Sequence, residues 1–383
     1  MKILFLVFHG FSEHSGISKK IHYQVKGLRE NGHDVRLCHY SFSPQGHRCR
    51  YIDETLLKDY GTGLLAALRQ RTDYSCLLDY CVNEGIEMVY ARSFQNANPW
   101  LISFFSRLRK AGIKAVTEIP TYPYDHEFDT FPWNIKLKLI IDKLFRHKLA
   151  REMNAIVTFS DADCIFGQRT IRISNGVDFD SIPIHQPQPA ADGSIHLIGV
   201  AEVHLWHGYD RLIAGIGEYY KHATNPKDVF FHIVGGVHPH DMEEGTAYYP
   251  AFREIIKQYQ IEKRIIFHGT LFGQELDEVF NKCQFAIGSL ARHRSGITVI
   301  KTLKNREYAT RGLPFIYSEQ DSDFDQQPYV IKAPASEAPI DVEEIIKFLD
   351  TFKMTPSEIR QTASRLSWKI QMEHVVKEVF KQN

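Results

Sequence analysis

Short apolar runs alternate along the chain with longer segments whose apolar residues recur at helical spacing, the pattern of a largely parallel sheet covered by helices. In the first half this predicts strands at 3–8, 35–38, 88–91, 115–118 and 155–158, with a helix over about 17–31 stopped by Gly32. Segment 41–71 is polar and aperiodic and reads as an insertion or a mobile loop. After Asn175-Gly176-Val177-Asp178 the character changes: 182–193 is proline-rich, lacks period and reads as a linker. The pattern then restarts, with strands at 195–200, 229–234, 265–267, 285–288 and 314–317 and helices near 208–222, 250–259, 274–282 and 301–311. Residues from 355 onward predict two terminal helices broken near Ser367-Trp368. The economical organisation is an α/β chain of two Rossmann-like, doubly wound domains, 1–180 and 195–365, joined by a linker at 181–194 and followed by a helix at 366–383.

With 43% apolar and 24% charged residues the chain can bury a full core, which excludes a disordered or fibrous protein. Lysine plus arginine total 46 against 46 acidic residues, and this balance argues against a general nucleic-acid binder. None of the six cysteines forms a C-x-x-C pair, so reduced thiols in a cytosolic protein are expected. The opening MKILFLVFHG is too short for a signal peptide and reads as a buried first strand. No run approaches the ~18 apolar residues that span a bilayer. The histidine pairs His238/His240 beside Asp241, and His9/His14, are not spaced as a helical metal motif, so no metal is expected.

In doubly wound sheets ligands gather beyond the carboxyl ends of the strands, so the segments following each strand carry the candidate chemistry. After the first strand, HGFSEHSGISKK places Ser15 and Gly16 before a helix with Lys19 and Lys20 in its first turn. That is either an anion-binding helix start or a plain glycine loop, since no G-x-G-x-x-G is present. Glu118-Ile119-Pro120-Thr121-Tyr122-Pro123-Tyr124-Asp125 is a proline-stiffened polar loop, suited to an acid–base or sugar-binding wall, and Arg92 follows a neighbouring strand. A structural proline turn with a surface arginine is the alternative. The densest cluster is Ser289 to Gly296, including Arg292, Arg294 and Ser295, then Thr302-Leu303-Lys304-Asn305-Arg306-Glu307. A helix starting near Thr302 would cradle a diphosphate with Lys304 and the loop arginines adding charge, while Glu307 binds ribose hydroxyls. A solvated charged helix is the other reading. Residues 133–151, WNIKLKLIIDKLFRHKLAR, form a basic amphipathic helix that either lies on an anionic leaflet or covers the first sheet.

LKNREYATRGLPFIYSEQD resembles the donor-nucleotide signature of retaining glycosyltransferases of family 4, which have the GT-B fold. EIPTYPYD, ISNGVDFD, HGYDRLI from His207 and LSWKIQMEHVV resemble the same family in the same order. The resemblance implies two Rossmann domains facing across a crevice, with the C-terminal helix crossing back to the first domain. It implies that Glu307 binds the nucleotide ribose, that backbone at Leu303 and Lys304 meets the diphosphate, and that Ser15-Gly16 lies near the donor phosphates. Two departures stand out. Val299 occupies the position of a first family glutamate, eight before Glu307, so Ser295 and Gly296 are expected to replace it. Ala201 and His207 stand where an arginine and a lysine are usual, leaving Arg211, Arg292, Arg294 and Lys304 to neutralise phosphate.

The expectation is a retaining, hexosyltransferase-like enzyme that moves a sugar from a UDP- or GDP-linked donor, used as substrate with no cofactor, to a glycan or lipid-linked hydroxyl. Glu118, Arg92 and Tyr122 are expected on the catalytic, acceptor side. Cell-surface polysaccharide synthesis at the cytoplasmic side of a membrane is the expected setting, with no nucleic-acid partner. A nucleotide-sugar epimerase of the same fold and a non-catalytic sugar-nucleotide binder are the alternatives.

Overall fold

The computed structural model describes residues 1–11, 16–92, 96–124, 133–188, 192–236 and 248–381, with backbone only at 133–136 and 248–250. The chain divides into two compact units, Met1–Gly176 with Ser367–Asn383, and Val177–Leu366.

Unit 1 is built on strands β1 (Lys2–Leu6), β2 (Asp34–Phe42), β3 (Arg48–Ile52), β4 (Thr55–Asp59), β5 (Met88–Arg92), β6 (Lys114–Ile119), β7 (Ala155–Thr158), β8 (Cys164–Ile165) and β9 (Gln168–Arg172). They lie in the order β4-β3-β2-β1-β5-β6-β7-β9-β8, with β2 through β7 forming a parallel centre and hairpins at both edges. β1, β5 and β7 are buried on both faces, which is why they read as unbroken apolar runs. The helices are α1 (Gly16–Glu30), α2 (Gly63–Thr72), α3 (Ser75–Asn83), α4 (Pro99–Lys110) and α5 (Trp133–Glu152).

Segment 41–71 is neither irregular nor a loop: it holds the end of β2, all of β3 and β4, and most of α2. The aperiodic reading failed because a cation occupies the middle of its core. Arg50 is fully buried, donates to the Tyr40 hydroxyl at 2.7 Å and lies over the rings of Tyr40 and Tyr74.

Unit 2 carries β10 (Ile195–Val200), β11 (Val229–Val234), β12 (Ile265–Gly269), β13 (Phe285–Ile287), β14 (Phe315–Tyr317) and β15 (Val330–Lys332) in one parallel sheet ordered β12-β11-β10-β13-β14-β15. Helices α6 (Tyr209–His222), α7 (Tyr248–Tyr259), α8 (Gly273–Lys282), α9 (Leu303–Arg311), α10 (Val342–Thr351) and α11 (Pro356–Ala363) accompany it. The proline-rich stretch after Ile182 leans on this unit, since His185 N–H donates to Arg311 O at 2.7 Å and Gln186 N–H to Asn281 Oδ1 at 2.9 Å. An extended segment with no partners of its own takes them from its neighbours.

The last helix, α12 (Trp368–Phe380), belongs to unit 1 and packs on α1. Ser367 caps it, accepting from Ile370 N–H at 3.2 Å. Gly27 admits it: a Cβ there would sit 2.7 Å from the Trp368 carbonyl.

Candidate functional site

The strand order of unit 2 reverses between β10 and β13, and a ligand crevice is expected beyond the carboxyl ends of those two strands. β10 leads into 201–207, which ends in a single 3-10 turn over Leu205–His207. β13 leads into Gly288 and Ser289, then a 3-10 turn over Arg292–Ser295 closed by Gly296 at φ +69°. α9 follows with Thr302 as its N-cap residue, in extended conformation and making no side-chain cap. The site is therefore assembled from two short turns and one helix start.

A lysine ends at the centre of these segments. Lys304 Nζ is buried without a hydrogen-bond partner, 5.8 Å from the Tyr209 ring centroid, and burial with the nearby Arg292 lowers its pKa to about 7. Arg292 crosses the face of Trp206 at 5.5 Å, and its Nε is also buried and unpartnered. His207 is held well below its ordinary pKa by burial and by Lys304 and Arg292, so it is a neutral imidazole whose Nδ1 accepts from His204 N–H at 2.9 Å. Glu319, following β14, is buried, and burial raises its pKa although it accepts from Asn305 Nδ2 at 3.3 Å. The hydroxyls of Ser289, Thr302 and Tyr209, together with Asn305 Oδ1 and Glu319 Oε2, are likewise buried with no hydrogen-bond partner among the described residues. Buried polar atoms are ordinarily paired, so this concentration makes the surface the candidate site for a polar ligand.

Two residues beyond Lys304 the same helix treats a cation in the opposite way. Arg306 is fully buried and donates to Asp321 at 2.6 and 3.1 Å, to Asp323, and to the Thr302 carbonyl at 3.0 Å. Arg365 also donates to Asp323 at 2.8 Å. This network pins α9 down, so the helix is not a solvated charged one.

The other predicted donor residues separate into two groups. Lys304, Arg292 and His207 converge, with Thr302 at the start of the same helix as Lys304. Leu303 opens α9 with its side chain exposed, and Ser295 Oγ donates to Arg292 O at 2.8 Å, bracing the turn. Glu307 is half-buried and accepts from Arg311 Nε at 2.9 Å, while Arg311 also donates to Asp277 at 2.7 Å. Arg211 and Arg294 are turned to the framework. Arg211 donates to the carbonyls of Ala338 at 2.8 Å, Pro334 at 3.1 Å and Leu290. Arg294 chelates Asp210 at 3.0 and 2.8 Å and pairs with Glu337. Glu319 and Tyr209 were not among the predicted site residues, and Ser289 and Asn305 lay inside the predicted cluster without a role of their own. The signal that could have found Glu319 is an acid two residues after a strand, in FIYSEQD.

In unit 1 the acceptor-side candidates form a separate cluster. Glu118 is fully buried at the end of β6 and accepts from Gln24 Nε2 and the Tyr90 hydroxyl, each at 2.6 Å. Lys20 Nζ lies at 3.8 Å and Arg92 Nε at 3.5 Å from its other oxygen. Burial alone would raise the Glu118 pKa, but Lys20, Arg92 and the two hydrogen bonds outweigh it and the pKa is lowered. Tyr122 is not in this group; its ring meets Phe166 edge-on at 5.7 Å, in an apolar cluster with Ile119 and Ile165. Gly16 starts α1, whereas Ser15, His14, Asp125, His238, His240 and Asp241 lie outside the described residues.

No protein-family model matches the chain, and no curated protein matches it in sequence. Solved structures do match in fold. The chain is similar to Anabaena HepE in complex with UDP, at 14% identity and TM-score 0.62 over 98% of this chain and 99% of that one. It is similar to AviGT4, a glycosyltransferase involved in avilamycin A biosynthesis, at 13% identity and TM-score 0.54 over 99% and 96%. It is also similar to a putative UDP-N-acetylglucosamine 2-epimerase from Listeria monocytogenes, at 11% identity and TM-score 0.51 over 99% and 95%. Two doubly wound units and near-complete coverage in each comparison make this a GT-B fold.

Proposed function

We propose that the chain is a retaining glycosyltransferase of the family 4 type, moving a sugar from a UDP- or GDP-linked donor to a hydroxyl of a glycan or lipid-linked acceptor on the cytoplasmic side of a membrane. The observation that carries the reading is the set of unpartnered buried groups around Lys304 at the switch point of unit 2. A diphosphate supplies the charge that Lys304 and Arg292 lack, and its oxygens take up the Thr302 and Ser289 hydroxyls. Glu307, oriented by Arg311, is assigned to the ribose hydroxyls. HepE, a solved structure of the same fold, was determined with UDP, which supports the nucleotide class.

In the reaction the bond from the anomeric carbon to the diphosphate oxygen breaks, and a bond to the acceptor oxygen forms on the same face. The acceptor proton passes to the departing diphosphate. Lys304 and Arg292 stabilise the negative charge that develops there. On the acceptor side, Glu118 is a positioning residue, holding Arg92 and Lys20 through ion pairs.

The test is calorimetric titration with UDP and GDP, followed by NMR of a donor incubated with and without an acceptor alcohol. One of the two nucleotides is expected to bind, and Glu307→Ala to weaken it strongly. Binding of neither overturns the donor site. Wild-type affinity in Glu307→Ala removes the ribose assignment. Conversion of the donor without an alcohol replaces transfer by epimerisation.

A further inference from the structure

Three histidines of unit 2 stand in one hydrogen-bonded row across the sheet, on β10, β11 and β12. His196 Nδ1 meets His232 Nε2 at 2.8 Å, and His232 Nδ1 meets His268 Nε2 at 2.8 Å. At the β10 end, His196 Nε2 lies 3.0 Å from the Ser194 hydroxyl oxygen. His232 is buried, while His196 and His268 are half-buried. The candidate donor site uses none of the three.

The geometry fixes how many protons the row can hold. Each N···N contact takes one proton, because a second would set N–H against N–H. Three neutral rings satisfy both contacts in two ways, with every ring protonated at Nδ1 or every ring at Nε2. One further proton still fits, at whichever end nitrogen is bare, His196 Nε2 facing Ser194 or His268 Nδ1. Another has no place without breaking a contact.

The surroundings also resist protonation. Burial is the largest cause holding all three pKa values below the ordinary range, and it takes His232 to about 3. Lys282, at the end of α8, opposes a proton on each ring, whereas Asp192 before β10 favours one on His196. Arg264 lies over the ring of Phe230, which stacks on His196, and is paired with Asp228 at 2.6 Å. The row is tied to the neighbourhood of Lys304 through the end of β11. There the Val234 carbonyl accepts from Ala201 N–H at 2.9 Å, and the Gly236 carbonyl from Val203 N–H at 2.7 Å. These two bonds hold the start of the segment that carries Trp206 and His207.

We infer that the row is a pH-sensitive latch in the sheet of unit 2, closed with at most one extra proton and opened when acid supplies a second, loosening segment 201–207 with it. Each ring that must stay neutral in the closed row makes opening about tenfold easier per pH unit below about 6.5, where a released histidine is protonated. The latch therefore holds fully above that value and weakens as pH falls.

The test is hydrogen exchange of the full chain by mass spectrometry between about pH 7.5 and 5, corrected for intrinsic exchange, with ring nitrogen NMR of the wild type beside it. Protection over 201–207 is expected to fall at least about tenfold further in the wild type than in His232→Gln. The glutamine amide can donate to one neighbour and accept from the other but cannot titrate. A merely structural histidine would give the same difference at every pH. The His232 ring should remain neutral at about pH 5. The inference is overturned if that ring titrates near its ordinary value, if both proteins lose protection equally, or if β1 in unit 1 loses it as much as 201–207 does. Should His232→Gln fail to fold, the ring NMR and the comparison with β1 decide. No nucleotide is present, so the outcome is independent of the transfer reading.

Discussion

In unit 1 the Glu118 carboxylate is an ion among ions. Two cations lie within 4 Å, two hydrogen bonds come from Tyr90 and Gln24, and the pKa is lowered despite complete burial. In unit 2 the same kinds of groups are brought together but not paired. Lys304 falls to about 7 and Glu319 rises, each pushed by burial toward its neutral form. Both clusters stand at the ends of parallel strands, so topology does not separate them. The difference is one of ion pairing. In unit 1 the cations lie within 4 Å of the carboxylate, although Glu118 Oε1, Arg92 Nη1 and Gln24 Oε1 also lack hydrogen bonds, whereas no ion pair joins Lys304, Arg292 and Glu319 among the described residues. Where the ions pair, the cluster holds the protein's own geometry. Where they do not, the proposed donor diphosphate would complete the cluster. Arg306 sharpens the contrast, because it lies two residues from Lys304 on the same helix and is fully paired.

The largest effect should follow from breaking the paired side. Arg306→Met leaves Asp321 and Asp323 buried without their central cation, and unfolding in urea should show a loss of about 3–5 kcal/mol. Lys304→Met removes an unpaired cation, so its urea midpoint should stay at or above that of the wild type. The same variant should bind the nucleotide diphosphate about 10–100-fold more weakly, the worth of a charge-assisted contact. If Lys304→Met destabilised as strongly as Arg306→Met, the lysine would be a structural cation and the contrast would collapse.

Glu118→Gln comes next. Removing the carboxylate leaves Lys20 and Arg92 buried with less compensation, at about 1–3 kcal/mol in thermal or urea unfolding. Since folding lowers the Glu118 pKa, its stabilisation is present above the unfolded carboxyl value and fades as pH falls through the folded one. The gap between wild type and Glu118→Gln should therefore narrow below about pH 4. Nucleotide affinity should be unchanged, while transfer slows. A loss of nucleotide binding in this variant would contradict the separate roles given to the two clusters.

The sheets were readable because their central strands are buried on both faces, as at 195–200, 229–234 and 155–158, where apolar runs need no period to be recognised. Segment 41–71 was not, because Arg50 makes its core partly from a guanidinium and tyrosine rings, which carry no hydrophobic alternation. At the site, sequence could nominate cations but not their allegiances. Arg211, Arg292, Arg294 and Lys304 look equivalent as letters, yet Arg211 is bound to carbonyls and Arg294 to Asp210 and Glu337. Those partners lie far along the chain, and only folding decides which cations they consume.

The smallest effect is also the most specific to the open cluster. Folding lowers the Lys304 pKa, so between about pH 7 and 10.5 the unfolded chain holds a proton that the folded one has shed, and this residue makes stability rise with pH across that window. A bound diphosphate reverses the preference, because an adjacent anion favours the charged amine. At about pH 8 nucleotide binding should then take up close to one proton. Calorimetry in HEPES and in Tris should give binding enthalpies that differ by the buffers' ionisation enthalpies times that fraction. The difference should vanish in Lys304→Met. Equal enthalpies for the wild type in both buffers would mean that Lys304 keeps its proton state on binding, and the cation that meets the diphosphate would have to be sought at Arg292.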